Sequence, residues 1–245
     1  MDIPSALLGL LFPVALFMGV CLAADALKNH RGTPTCAVEL MAACLVLVWI
    51  AVGGTVMFGL RGRARTWVRS LPLGWRARFL LLATLLALVE EAITTTLTNL
   101  APLFGSRPGD AFITASTNYL EVVLYHSVIV IVPMFVAWAW LLSRWAFRTG
   151  WVVLLFGLDG VLAEALLGGL GAVVMAPIWI FVYGLMIYLP AYSLPEDRGA
   201  RPPRWYHAFL ALVVPMLAAC LMALVVNSLS PHLPHFGPEF RIPPK

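Results

Sequence analysis

Apolar runs of about 20 residues, the length that spans a bilayer as a helix, recur along the chain between short polar stretches. They cover residues 3–26, 36–60, 79–104, 118–142, 151–169, 173–192 and 207–229. The pattern predicts an all-α, polytopic integral membrane helix bundle of about seven transmembrane helices. The connections leave no room for a sizeable soluble unit, so residues 1–245 read as one transmembrane domain. Residues 230–245 form a proline-rich tail, expected to be extended.

The first run raises the question of a cleaved leader. Ala24-Asp25-Ala26 matches a small-residue cleavage pattern. The preceding segment carries Asp2 and no basic residue, which is wrong for a signal peptide, so a retained helix is expected. Within the second run, Gly53 and Gly54 are expected to let a neighbouring helix approach closely. Pro133 removes a backbone donor from the fourth run and predicts a kink there.

The third run breaks the apolar pattern. Glu90 and Glu91 sit side by side near its middle, followed by Thr94, Thr95, Thr96, Thr98 and Asn99. One ionised Asp at a membrane helix centre costs about 2.5–3.5 kcal/mol on insertion scales, and two adjacent carboxylates cost more. Such a pair persists when it faces protein, water or an ion, or when one group is protonated.

Depth places other polar groups beside it. At about 1.5 Å per residue, Glu90 and Glu91 lie roughly 17–18 Å from the arginine-rich membrane edge, and Glu164 roughly 20 Å. His126 enters from the opposite edge and comes to about 18 Å on the same scale. Glu164 shares a helical stripe with Gly157, Gly160, Gly168 and Gly171, which predicts tight packing of that face inside the bundle. Glu90, Glu91, His126 and Glu164 are therefore the candidate catalytic residues. If a divalent metal binds, the same four are its expected ligands, although no H-E-x-x-H motif is present. Asp159 is expected to be structural. Glu39, Asn99 and Glu121 are expected nearer the far surface, lining a vestibule.

Composition supports the membrane reading. Apolar residues make up 61% and charged residues 11%, against roughly 45–50% and 25% in soluble proteins. The net charge of +4 comes from arginines between the apolar runs, so it sets orientation and does not signal nucleic acid. Threading the runs alternately puts Arg61–Arg78, Arg144, Arg148, Arg198, Arg201 and Arg204 on one side, eleven of the sixteen basic residues. That side is expected to be cytoplasmic, in a prokaryotic cytoplasmic membrane, with the C-terminus outside. The stretch Arg61–Arg78 is an expected contact for anionic lipid headgroups. The two lysines, Lys28 and Lys245, lie outside the runs, which argues against a retinal Schiff base. Cys21, Cys36, Cys44 and Cys220 form no metal or redox pattern, and Cys36 is expected in the first loop.

The glutamate doublet in an apolar helix resembles the first motif of the CAAX-protease and bacteriocin-processing family of intramembrane proteases. That family carries E-E-x-x-x-R, then F-x-x-x-H, then an H-x-x-x-N-type motif on separate helices. Glu90-Glu91 match the pair, and His126 follows in order. Thr95 stands at the arginine position, Val122 at the phenylalanine position, and Glu164 would have to replace the later histidine. The resemblance implies a hydrolase in which a glutamate takes a proton from water and His126 stabilises the oxyanion.

The leading reading is thus an intramembrane hydrolase. The alternative is a proton- or cation-coupled transporter, because buried carboxylates with hydroxyl neighbours also carry cations. The third is a non-catalytic subunit of a membrane complex. No internal repeat supports an inverted-repeat transporter architecture.

Overall fold

The computed structural model describes residues 3–229. The proline-rich tail lies outside the described residues. The chain is helical, with no β-strand among the described residues and one isolated bridge pairing Trp145 with Arg201.

Helix α1 spans Ile3–Asn29. After a short turn, α2 (Pro34–Leu45) starts with Thr33 as N-cap, whose side chain accepts from Cys36 N. Cys36 therefore belongs to the first turn of α2 and is buried, not displayed in the loop. α2 continues through a π-helical stretch, Val46–Gly53, into α3 (Gly54–Ser70). The π stretch carries Trp49, whose Nε1 donates to Val182 O, far along the chain, at 2.9 Å. A Cβ on Gly53 or Gly54 would meet only ordinary contacts at 3.4–3.7 Å, so the close approach expected there does not occur.

The arginine stretch is more helical than its charge suggests. α3 runs to Ser70 and α4 (Trp75–Asn99) begins five residues later, which confines the turn to Leu71–Gly74. Arginine and alanine are good helix formers, so the helix continues past the apolar run. Beyond α4, a 3₁₀ turn (Ala101–Phe104) leads into a loop.

The fourth apolar run is broken. α5 (Tyr119–Tyr125) and α6 (Val128–Arg144) are bent by 43° across His126 and Ser127. α6 runs through Pro133, so the interruption falls one and a half turns before the proline. α7 (Thr149–Gly168) follows, then a one-turn helix α8 (Gly171–Val174), α9 (Ala176–Tyr192) and α10 (Trp205–Leu229). Among the described residues, five helical segments are long and apolar enough to cross a membrane, six with α5–α6 taken as one span; α9 is shorter, at 17 residues.

α9 is the centre of the bundle. It packs on α7, α4, α1 and α3, and eleven of its residues are buried. The α7–α9 contact is tight because glycines line it. A Cβ on Gly157 would stand 2.5 Å from Ile180 O, and one on Gly160 2.1 Å from Tyr183 Cδ2. Gly168 is exposed and Gly171 meets nothing within 4 Å, so the tight packing expected of the stripe is confined to Gly157 and Gly160. α1 and α10 lie at the edge and expose large apolar side chains such as Phe17, Val20, Leu221 and Leu224. Exposed apolar surface on this scale marks a lipid-facing perimeter. The core holds Trp49, Phe79, Phe135, Trp138 and Phe156, with Phe135 and Phe156 stacked at 5.3 Å.

Candidate functional site

The polar residues of α4 face inward. Glu90, Glu91, Thr94, Thr95 and Thr98 are all buried. Threonines in a helix can bond back to the preceding turn or reach a neighbouring carboxylate, and α4 shows both. Thr96 donates to Ala92 O at 2.6 Å. The Thr94 hydroxyl lies 3.1 Å from Glu91 O and 3.2 Å from Glu91 Oε2.

Two elements bring hydroxyls to Glu91. Thr94 belongs to its own helix. Thr114, in the loop after the 3₁₀ turn, brings its hydroxyl to 3.4 Å from Glu91 Oε2. Ser127, at the α5–α6 break, turns its hydroxyl back to Val122 O at 3.3 Å. The loop is pinned to α4 by further bonds. Ile113 N donates to Thr98 Oγ1 at 3.3 Å, Asn99 Nδ2 to Thr117 O at 2.8 Å, and the Tyr119 hydroxyl to Leu88 O at 3.0 Å. Irregular backbone at membrane depth persists only where protein or water satisfies it, and these bonds satisfy part of it.

Glu164 stands on α7 and accepts a hydrogen bond from Tyr183 of α9 at 2.7 Å, and α9 packs on α4 as well. The glycine stripe explains the geometry. With no side chain at Gly160, the Tyr183 ring lies flat on α7 and its hydroxyl reaches Glu164, one turn further on. One more polar group belongs here: Thr95 Oγ1, on the face of Glu91 and one turn beyond, is buried with no hydrogen-bond partner.

Of the four residues singled out in the sequence, Glu90 and Glu91 are buried together on α4, and Glu164 of α7 is bonded to Tyr183 of α9. His126 caps the C-terminus of α5 and is half-buried. It is the chain neighbour of Ser127 at the helix break. Thr114 and Tyr183 do not stand out in the sequence. Each enters through tertiary contact, and a lone hydroxyl residue in sequence gives no sign of that. Asp159 is fully buried elsewhere, beside the Trp138 indole, and neither carboxylate oxygen has a hydrogen bond of normal geometry.

No three of Glu90, Glu91, His126 and Glu164 converge as metal ligands do. Among the described residues one group does: Asp25, His30 and Glu39 bring one donor atom each within 4.8 Å of one another. It joins the end of α1 to the start of α2. His30 Nδ1 is 2.9 Å from Glu39 Oε2 and 3.6 Å from Asp25 Oδ2. The Glu39 hydrogen bond, with Asp25 nearby, holds the His30 imidazole above its usual value of 6.5. An imidazole with two carboxylates is a donor set that suits Zn²⁺ or Mn²⁺. Glu39 and Glu121 were expected along a vestibule; Glu39 is engaged by His30, and Glu121 accepts from Ser116 at 2.7 Å and Asn118 at 3.2 Å.

A scan against protein-family models and searches of curated proteins and of solved structures find no match to this chain.

Proposed function

We propose that this membrane protein binds protons or a small cation at Glu90, Glu91 and Glu164 and couples that binding to transport. The observation that carries the reading is the 43° α5–α6 break, packed against α4, with the Thr114 hydroxyl of the preceding loop 3.4 Å from Glu91 Oε2. Discontinuous helices at membrane depth are the usual framework for ion sites in carriers. Carboxylate and hydroxyl oxygens are hard donors that suit protons and hard cations. The buried, unpartnered Thr95 hydroxyl adds a donor on the same face.

Access is one-sided in this arrangement. Thr95, Thr98, Asn99 and Thr114 lead from the doublet towards the C-terminal end of α4. On the other half of α4 the buried residues are Phe79, Ala83 and Ala87. The reading takes α9 as a seventh span and the chain as one transmembrane domain, with the arginine-bearing end in the cytoplasm.

A second reading, an intramembrane hydrolase, is favoured by His126 standing next to Ser127 at the same break. Its chemistry would be the glutamate-activated water implied by the doublet's resemblance to the CAAX-protease family.

An apolar carbodiimide separates these readings from a purely structural cluster. It modifies carboxylic acids that exchange protons inside the membrane. Adducts on Glu90, Glu91 or Glu164 that decline when a transported cation is added support a binding site. No adduct at any pH, with or without cations, would mean that the cluster only holds helices together.

A further inference from the structure

A second polar site lies at the arginine-bearing end of the bundle, away from the carboxylates. α3, α4 and the end of α9 meet there around a cavity of about 180 Å³. That is below the roughly 300–1,000 Å³ of drug-sized ligand sites and suits a small group. Arg69, Trp75, Arg78, Phe79, Ser193 and Leu194 are among its lining residues.

The donors of this cavity are not all used. Arg69 donates from Nε to Ser193 O at 3.1 Å and from Nη2 to Leu194 O, which fastens the C-terminus of α9. Arg78 Nε is buried with no hydrogen-bond partner. Ser193 is 5% exposed, and its Oγ is likewise without a partner. Buried polar groups are nearly always satisfied, and one that is not calls for an explanation such as a ligand. α4 begins at this place with no side-chain cap on its first-turn amides, which adds positive potential. Glu196, the next acidic residue along the chain from Ser193, is taken by Arg65 at 2.9 Å.

We infer that this cavity binds a phosphate group of a net-anionic ligand, with Arg78 and Ser193 as the donors that recognise it and Arg69 as added positive charge. Arginine is suited to phosphate because its planar fork presents several donors at once. The phosphate can arrive on an anionic phospholipid headgroup, since the site stands where helices α3 and α4 turn at the membrane edge, or free in solution.

The test uses the full chain purified in detergent. Binding of short-chain phosphatidylglycerol, short-chain phosphatidylcholine and inorganic phosphate is measured by native mass spectrometry and by thermal shift. Variants are Arg78→Gln, the milder Ser193→Ala, and Arg63→Gln as an exposed control on α3. The expected result is saturable phosphatidylglycerol binding that weakens by about tenfold or more in Arg78→Gln, weakens in Ser193→Ala, and is unchanged in Arg63→Gln. Competition by inorganic phosphate at equal affinity identifies a free-phosphate site, and no competition identifies a headgroup site. Equal binding of phosphatidylcholine, or equal losses in Arg63→Gln and Arg78→Gln, would overturn the inference, because the effect would then be bulk lipid affinity or diffuse surface charge. If Arg78→Gln does not fold, Ser193→Ala with wild-type affinity overturns it.

Discussion

Tyr183 donates its hydroxyl to Glu164 at 2.7 Å, and it does so over a glycine: a Cβ on Gly160 would stand 2.1 Å from the tyrosine ring. The helix contact and the polar site are therefore one construction. Gly160→Ala should force the ring away from α7 and cost about 1–3 kcal/mol, as overpacking does. Tyr183→Phe keeps the packing and removes the donor, at about 1–3 kcal/mol for a buried acceptor left unpaired. Thermal unfolding in detergent should fall for both. An unchanged melting temperature in Gly160→Ala would mean that α7 and α9 are further apart than described.

Thr94 and Thr114 bring hydroxyls to the same Glu91 Oε2 from α4 and from the loop, so their losses should not add. Thr94→Val and Thr114→Val are each expected to cost about 1 kcal/mol. Because both serve the same carboxylate, the double variant should differ from the sum by about 0.5 kcal/mol or more. A double-mutant cycle on unfolding measures this. Strict additivity would place the two hydroxyls on different partners.

Asp159 tests the opposite case. It is fully buried beside Trp138, and neither oxygen closes a normal hydrogen bond. Replacing it with a similar-sized apolar residue, Asp159→Val, should raise stability by about 1–3 kcal/mol. A loss of stability would reveal a partner that fixes the carboxylate.

The α1–α2 clasp should respond to pH. Glu39 holds the His30 imidazole above its usual 6.5. A group whose pKa is raised by folding contributes fully below its unfolded value, and the contribution is lost as pH rises through the folded value. In chelator-treated buffer, wild-type melting temperature should fall relative to Glu39→Gln between about pH 5 and about pH 8. Parallel curves for the two proteins would contradict the clasp.

The bundle and the inward-facing doublet were legible because their signals are local. Run length gives the helices, and the cost of burying charge singles out Glu90 and Glu91. The Gly157 and Gly160 stripe also predicted the close contact with another helix, since small residues at helical spacing have few other uses. The break at His126 and Ser127 was not legible. Pro133 is the stronger local signal, yet α6 continues through it, and the interruption falls at Ser127, whose hydroxyl turns back to Val122 O. Tyr183 was hidden for a related reason: tyrosines near span ends look like interfacial anchors, and only the missing side chain at Gly160 turns this one inward. The Asp25, His30 and Glu39 group needed the turn of α1 onto α2 before its members could meet.

The most direct test of the central claim is ion flux. Purified protein is reconstituted into liposomes with a pH-sensitive dye inside, and a proton gradient is imposed with and without Na⁺ or K⁺. The account predicts dissipation by wild-type protein and a loss of about tenfold or more in Glu91→Gln, since intramembrane carboxylates of this kind mark ion pathways. Rates indistinguishable among wild type, Glu91→Gln and protein-free liposomes under every ion condition would contradict it.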